Sequence, residues 1–537
     1  MGSKEIHESL CLVCTQPASS RCSSCRAASY CSKEHQKQHW KTHKNQCIPY
    51  QVKEDKKLGR FLVASRDIQR GDVILKEHPL LSGPPHSTGP VCLGCNVLLT
   101  SVETSVPCPR CGWPLCSLPC ADNPLHKPEC EWAIEKKKDK VRISQFATPH
   151  PTYALITPIR ALFLKEQDPT SWERLSGLES HCEQRKLDKK YEQDRFAVAS
   201  ALRRFYKLEN EFSEEEIVRI CGIIQINGHE VPLSEPAYIS VYWVCSLLEH
   251  SCLPNCSKTF TDSGQVLIRA AVDIPKGSHI SISYTDPLWS TPARRQHLIL
   301  TKYFSCCCLR CVDPTENGSY FSGVRCPAKK CGGIVLPKCF IKDYETYACL
   351  KCGQKMTAKQ AAGICSKVAQ ELLSLKKGDV ASYTTALHRV KNLVGENYCQ
   401  VVEAKLTLAQ MIGQSTAKGL AEVDDDTLSM KENLCRQLIS LSDGLFRAEN
   451  RIRGVLFFEL HAAVAEHARR LVNKKSSNAF VLQAQLLESG GYLERVLFFL
   501  KYEPKVLPEG IIYDQAVENL KDLQKLYQTM GITSPTT

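Results

Sequence analysis

Residues 11–47 carry eight zinc-type ligands in the order Cys11-x2-Cys14-x7-Cys22-x2-Cys25-x5-Cys31-x3-His35-x7-His43-x3-Cys47. Tetrahedral zinc takes four cysteine or histidine ligands, so this segment supplies two sites. So short a stretch cannot bury a core, and metal binding must supply much of its folding free energy. The run YCSKEHQKQHWKTHKNQC is helix-compatible. Cys31/His35 and His43/Cys47 are each four apart and share a helical face. The spacing predicts an interleaved pair of sites. Cys11, Cys14, Cys31 and His35 hold one metal; Cys22, Cys25, His43 and Cys47 hold the other. All four positions are filled in each, so these zincs are structural.

The rest of the chain extends this pattern. Of 30 cysteines in 537 residues, only Cys399 and Cys435 follow residue 366. The front is therefore metal-rich and the back cysteine-poor. The opening MGSKEIHESL has no apolar signal core, and no apolar run reaches the roughly 18 residues of a membrane helix. A cytoplasmic and/or nuclear chain with reduced thiols is expected, with no membrane partner. The net charge of +12 is dispersed. No spacing matches a groove-reading finger, so sequence-specific DNA binding is not expected.

A second block, Cys92-x2-Cys95-x12-Cys108-x2-Cys111-x4-Cys116-x3-Cys120-x5-His126-x3-Cys130, repeats the order of the first. It predicts two further zinc sites, or one site with spare thiols. Residues 131–140, EWAIEKKKDK, suggest a solvated charged helix. Helices are expected over 153–215, with Leu155, Ile159, Leu162 and Phe163 as a packing stripe. From residue 220 the runs GIIQINGHEV and onward suggest short strands. Cys326-x4-Cys331 and Cys349-x2-Cys352 form a zinc-ribbon pattern. From about 360 the chain is helical, with TPR-like helix pairs.

The first block, with Gln36, Trp40 and Lys44 between its ligands, resembles the MYND zinc finger. Three further pieces resemble a SET domain: Gly59-Arg60 through Ile74, Glu249-His250-Ser251-Cys252-Leu253-Pro254-Asn255, and Pro275 through Tyr284. Together they resemble the SET and MYND domain-containing (SMYD-type) protein-lysine methyltransferases, in an arthropod-type branch. The implied fold class is α+β: a SET-type irregular β fold with inserted and N-terminal zinc fingers, and a C-terminal all-α, TPR-like helical domain. The implied domains are an N-terminal MYND-type finger (1–50), the N-terminal part of the SET domain (51–90) and a second MYND-like zinc insert (91–131). A helical insert (132–219), core SET (220–290), post-SET zinc region (291–315), zinc ribbon (320–356) and helical C-terminal domain (357–537) follow.

The resemblance implies S-adenosyl-L-methionine as cofactor, up to six structural Zn2+ and Tyr284 as catalytic residue. It implies cofactor contacts from Gly59, Asn227, Ser246, Leu247, Leu248, Glu249, His250, Tyr284 and Phe304. It also implies a post-SET zinc on Cys252, Cys306, Cys308 and Cys311. The expected partners are protein substrates, histones among them, and Pro-containing peptides docked by the MYND fingers. Three positions depart from the family pattern. Glu249 replaces asparagine, Phe61 replaces glycine, and Lys302 replaces a tyrosine lining the lysine channel. The alternative function is therefore a catalytically decayed SET/MYND protein, acting as a peptide-binding scaffold or transcriptional regulator.

Overall fold

The computed structural model describes residues 10–22, 28–56, 58–146, 149–376, 378–414, 416–473 and 479–532. Its centre is a set of short, mostly antiparallel strands from two distant stretches of chain. Tyr50–Asp55 and Gly59–Ala64 form a hairpin. Val73–Glu77 adds to the edge of Val266–Ala270, which pairs on its other side with Cys256–Phe260. Leu81–Gly83 pairs with Tyr238–Val241, and that strand with Gly228–Val231. Glu249–His250 runs parallel to Ser281–Ile282. Leu62, Ile74, Tyr242, Val266, Ile268 and Ile280 pack between these small sheets. A long insertion thus leaves and re-enters one β core without breaking its pairing.

The insertion builds its own core. Trp113, Trp132, Tyr153, Ile159, Leu162 and Tyr206 are fully buried together. The expected stripe holds: Leu155, Ile159, Leu162 and Phe163 are all buried at the start of the helix Ile156–Gln167. Two expectations are corrected. Residues 131–140 are not a solvated face throughout, because Trp132 packs against Phe163, Tyr206 and Phe212. Its neighbour Lys136 lies over the indole and pairs with Glu166 and Glu211. The run GIIQIN is helix, not strand. Ser213 caps the helix Glu214–Asn227 through the N–H of Glu216, and acidic residues fill its first turn. Ile217, Ile220 and Ile223 then recur at helical spacing, and the strand begins only at Gly228.

Beyond residue 320, Val324–Arg325, Ile334–Cys339, Asp343–Cys349 and Lys355–Thr357 form a four-stranded antiparallel sheet. Helices Ala358–Leu373, Val380–Val390, Cys399–Met411, Asp425–Leu445, Asn450–Asn473, Ala479–Leu500 and Pro508–Met530 follow. They return to the β core, where Arg269 donates to the carbonyls of Phe498 and Phe499 at 2.8 and 3.0 Å, Thr259 donates to Glu503 and Asn450 donates to Ser257. Among the described residues, no helix is long and apolar enough to cross a membrane.

Candidate active site and metal centres

Among the described residues, at least five groups of four thiol and imidazole side chains have their ligand atoms within 4.8 Å of one another. They include Cys11/Cys14/Cys31/His35, Cys92/Cys95/Cys116/Cys120, Cys108/Cys111/His126/Cys130, Cys252/Cys306/Cys308/Cys311 and Cys326/Cys331/Cys349/Cys352. Sulfur and imidazole donors at this mutual distance fit tetrahedral zinc. Both cysteine-rich blocks pair their ligands in the interleaved order. The remaining ligands of the first finger also converge: the sulfurs of Cys22 and Cys47 lie 3.5 Å apart. His43 is buried on the helix Lys33–Cys47, which also carries Cys47, and Cys25 lies outside the described residues.

One metal group has a supporting shell that sequence reading missed. His126 turns Nε2 toward Cys111 at 3.2 Å and Nδ1 toward Glu129 at 3.1 Å. Glu129 in turn accepts two bonds from Arg160, at 2.7 and 3.0 Å. A carboxylate on the far nitrogen fixes which nitrogen faces the metal. The available signal was Arg160 itself, a charge inside an apolar helical stripe.

Of the predicted active-site residues, Tyr284 and Phe304 meet the turn 244–250. Glu77 anchors this turn, accepting from the N–H groups of Val244 and Cys245 at 2.8 and 2.9 Å. Burial raises the Glu77 carboxyl above its usual range. Ser246 donates to the carbonyl of Tyr242, while Leu247 and Leu248 are buried in the β core. The phenol of Tyr284 donates to the carbonyl of Leu248. Burial pushes that phenol well above its usual pKa, so it stays a neutral donor. The backbone N–H of Tyr284 donates to Nδ1 of His250 at 3.0 Å. Nε2 must then carry the proton of the neutral ring, and it faces Cys252 Sγ at 3.3 Å. His250 therefore joins the tyrosine to the four-cysteine group. The ring of Phe304 lies 5.8 Å from His250, and the ring of Tyr284 lies 5.2 Å from it.

The departures are placed with equal clarity. Glu249 bonds to Nδ1 of His279, and His279 stacks on Phe61 with centroids 4.7 Å apart and planes 13° apart. Gly59 stands at the start of the same strand with φ +69°. Asn227 commits both amide hydrogens to the protein, donating to the carbonyls of Glu179 and Ile223 at 2.8 Å each. Lys302 ends the helix Thr291–Lys302, and the left-handed Tyr303 follows it. Its Nζ donates to the carbonyl of Ile226 at 2.7 Å and lies 5.7 Å from the centroid of the Tyr284 ring.

These features define a SET-type β core interrupted by zinc-type modules, with Tyr284, His250 and Phe304 clustered beside a four-cysteine group. Comparison with known families agrees: the MYND finger family matches residues 11–47, and the SET domain family matches residues 59–285. The chain thus carries matches to both domain families. It is 30% identical over 302 residues to the SET domain-containing protein SmydA-8 (isoform A) of Drosophila melanogaster, covering 55% of this chain and 63% of that protein. It is 26% identical over 333 residues to the histone-lysine N-methyltransferase ASHR1 of Arabidopsis thaliana, covering 58% and 66%. The histone-lysine N-methyltransferase SMYD3 of Homo sapiens is 28% identical over 287 residues, covering 50% and 62%. The chain thus matches just under two thirds of the length of each of these relatives.

Proposed function

We propose that the protein is an S-adenosylmethionine-dependent protein-lysine N-methyltransferase whose MYND-type modules dock protein partners. The observation that carries this reading is the linkage Tyr284–His250–Cys252, in which the Tyr284 backbone N–H, the His250 ring and the Cys252 sulfur tie the tyrosine's backbone to the post-SET cysteines. S-adenosylmethionine, when bound, supplies an electrophilic methyl on sulfur. Backbone groups of 246–250 and the faces of Phe304 and His250 would hold it, aromatic faces suiting a sulfonium. Tyr284 would orient the incoming lysine amine, and exclusion of water around it would favour the neutral, nucleophilic amine. In-line transfer then rests chiefly on positioning. Zinc on the cysteine and histidine groups, up to six ions, would hold the modules and the post-SET tail together without joining the chemistry.

Trp40 supports a docking role for the first finger. It is 44% exposed on the finger helix, a surface suited to stacking on a Pro-containing peptide. Histones and other proteins are the substrate class. The test is transfer of labelled methyl from S-adenosylmethionine to a lysine peptide array. Wild type transfers label and Tyr284→Phe does not. Equal transfer by both would remove Tyr284 from the chemistry.

The second reading, a decayed scaffold, is favoured by the Glu249–His279–Phe61 cluster. Those side chains satisfy one another within the protein, where the family pattern has an amide and a glycine. On that reading the fingers bind peptides and the cofactor does not bind.

A further inference from the structure

The chain places one of its own amines over the ring of Tyr284. Left-handed Tyr303 separates Lys302 from Phe304 and is held by a bond from its hydroxyl to Asp188 at 3.2 Å. On one side of this bend Phe304 meets His250; on the other Lys302 reaches the C-terminal end of the helix Glu214–Asn227. There its Nζ donates to Ile226 at 2.7 Å and approaches the carbonyl of Gln225 at 3.5 Å. Helix-end carbonyls attract such a donor and hold it in a defined place. The same Nζ lies over the face of Tyr284. Lys302 and Tyr284 are both partly exposed.

We propose that Lys302 is a methylation site of this protein, modified by its own SET domain with S-adenosylmethionine as methyl donor. The proposal rests on the methyltransferase reading above. The Lys302 nitrogen first releases a proton to solvent. Its lone pair then forms the N–C bond as the sulfonium S–C bond breaks, with that electron pair staying on sulfur. The products are S-adenosylhomocysteine and a secondary ammonium, so atoms and charge balance. Burial, with Lys258 adding to it, lowers the Lys302 amine to about 8, which leaves a neutral fraction near physiological pH. The methylated product keeps its charge and two donor hydrogens, enough to retain both helix-end carbonyls.

Peptide mass spectrometry of the full chain tests this, both as purified from cells and after incubation with S-adenosylmethionine. Cofactor binding is measured in parallel by calorimetry. The expected result is a methyl increment on the Lys302 peptide, with the same extent per chain after about tenfold dilution, as for a reaction within one molecule. Lys302→Arg keeps donors for the two carbonyls, so it is expected to bind cofactor as wild type does while losing the increment at that site. An unmodified Lys302 in protein that binds cofactor overturns the proposal and leaves Lys302 as a helix cap. Absence of cofactor binding overturns the methyltransferase reading and this proposal together.

Discussion

The carboxylate of Glu249 is bonded to Nδ1 of His279, whose ring lies on Phe61. Two departures from the family pattern are therefore one cluster with a shared histidine. A lone carboxylate beside an anionic part of a ligand would be costly, but this one has a donor. Glu249→Asn alone leaves His279 without its partner and the stack in place, so it should restore little. A double-mutant cycle with Glu249→Gln and His279→Ala should give a coupling of about 0.5–1 kcal/mol, because His279 is half exposed. Thermal unfolding of the four proteins measures it, and a coupling near zero would mean that the pair is incidental.

Removing one ligand of the post-SET group should act at a distance in sequence. Cys252 lies 3.5 Å from Cys311 and 4.0 Å from Cys306, sulfur to sulfur. Cys252→Ser should lower the zinc content by one ion per chain. It should also raise hydrogen exchange across 302–312 and abolish methyl transfer, since His250 loses the sulfur that orients it. Unchanged zinc and exchange would detach Cys252 from this group.

The buried pair Glu129–Arg160 gives a larger expected effect. Neither side chain has appreciable solvent contact. Arg160→Met leaves the buried Glu129 carboxylate with His126 but without its guanidinium partner, at a cost of about 3–5 kcal/mol. Glu129→Gln in the same background should recover part of that loss. Chemical denaturation reads both, and a loss below about 1 kcal/mol for Arg160→Met would show that the pair is not acting as a buried unit.

A pH prediction concerns the C-terminal helices. His461 is buried, with Nδ1 2.7 Å from Ser489 Oγ and Nε2 3.4 Å from the amide of Asn519. Burial lowers its pKa to about 4. The unfolded chain then binds more protons than the folded one between about 6.5 and 4. Stability is full above that window and falls as the pH drops through it, by up to about 3 kcal/mol. His461→Gln should flatten this part of the stability profile. A profile unchanged by the substitution would place the titration elsewhere.

The metal frame was largely legible because ligand spacing is a covalent constraint. CxxC pairs and i,i+4 pairs name their own partners, as Cys31 and His35 do. The pairing of residues 50–83 with 228–282 was legible only through motif pieces, since no local pattern carries a contact across so long an insertion. Trp132 was hidden because its neighbours are Glu131, Glu135 and Lys136. A single indole in a charged run does not disturb periodicity, yet its burial decides the packing. GIIQIN misled because β-branched residues at helical spacing satisfy both readings, and the cap at Ser213 was the deciding local signal. His279, Glu77 and Arg160 act through tertiary contacts. For His279 and Glu77 nothing in the neighbouring residues announces those contacts; for Arg160 the one local signal is its charge within an apolar stripe.

The central claim is that this SET core takes S-adenosylmethionine, and calorimetric titration of the zinc-loaded full chain tests it most directly. The account predicts saturable binding at one site per chain in the wild type, retained in Tyr284→Phe, because that phenol orients the acceptor amine rather than holding the cofactor. No binding heat with the wild type, with all zinc groups filled and the protein folded, would contradict it and leave the decayed scaffold as the function.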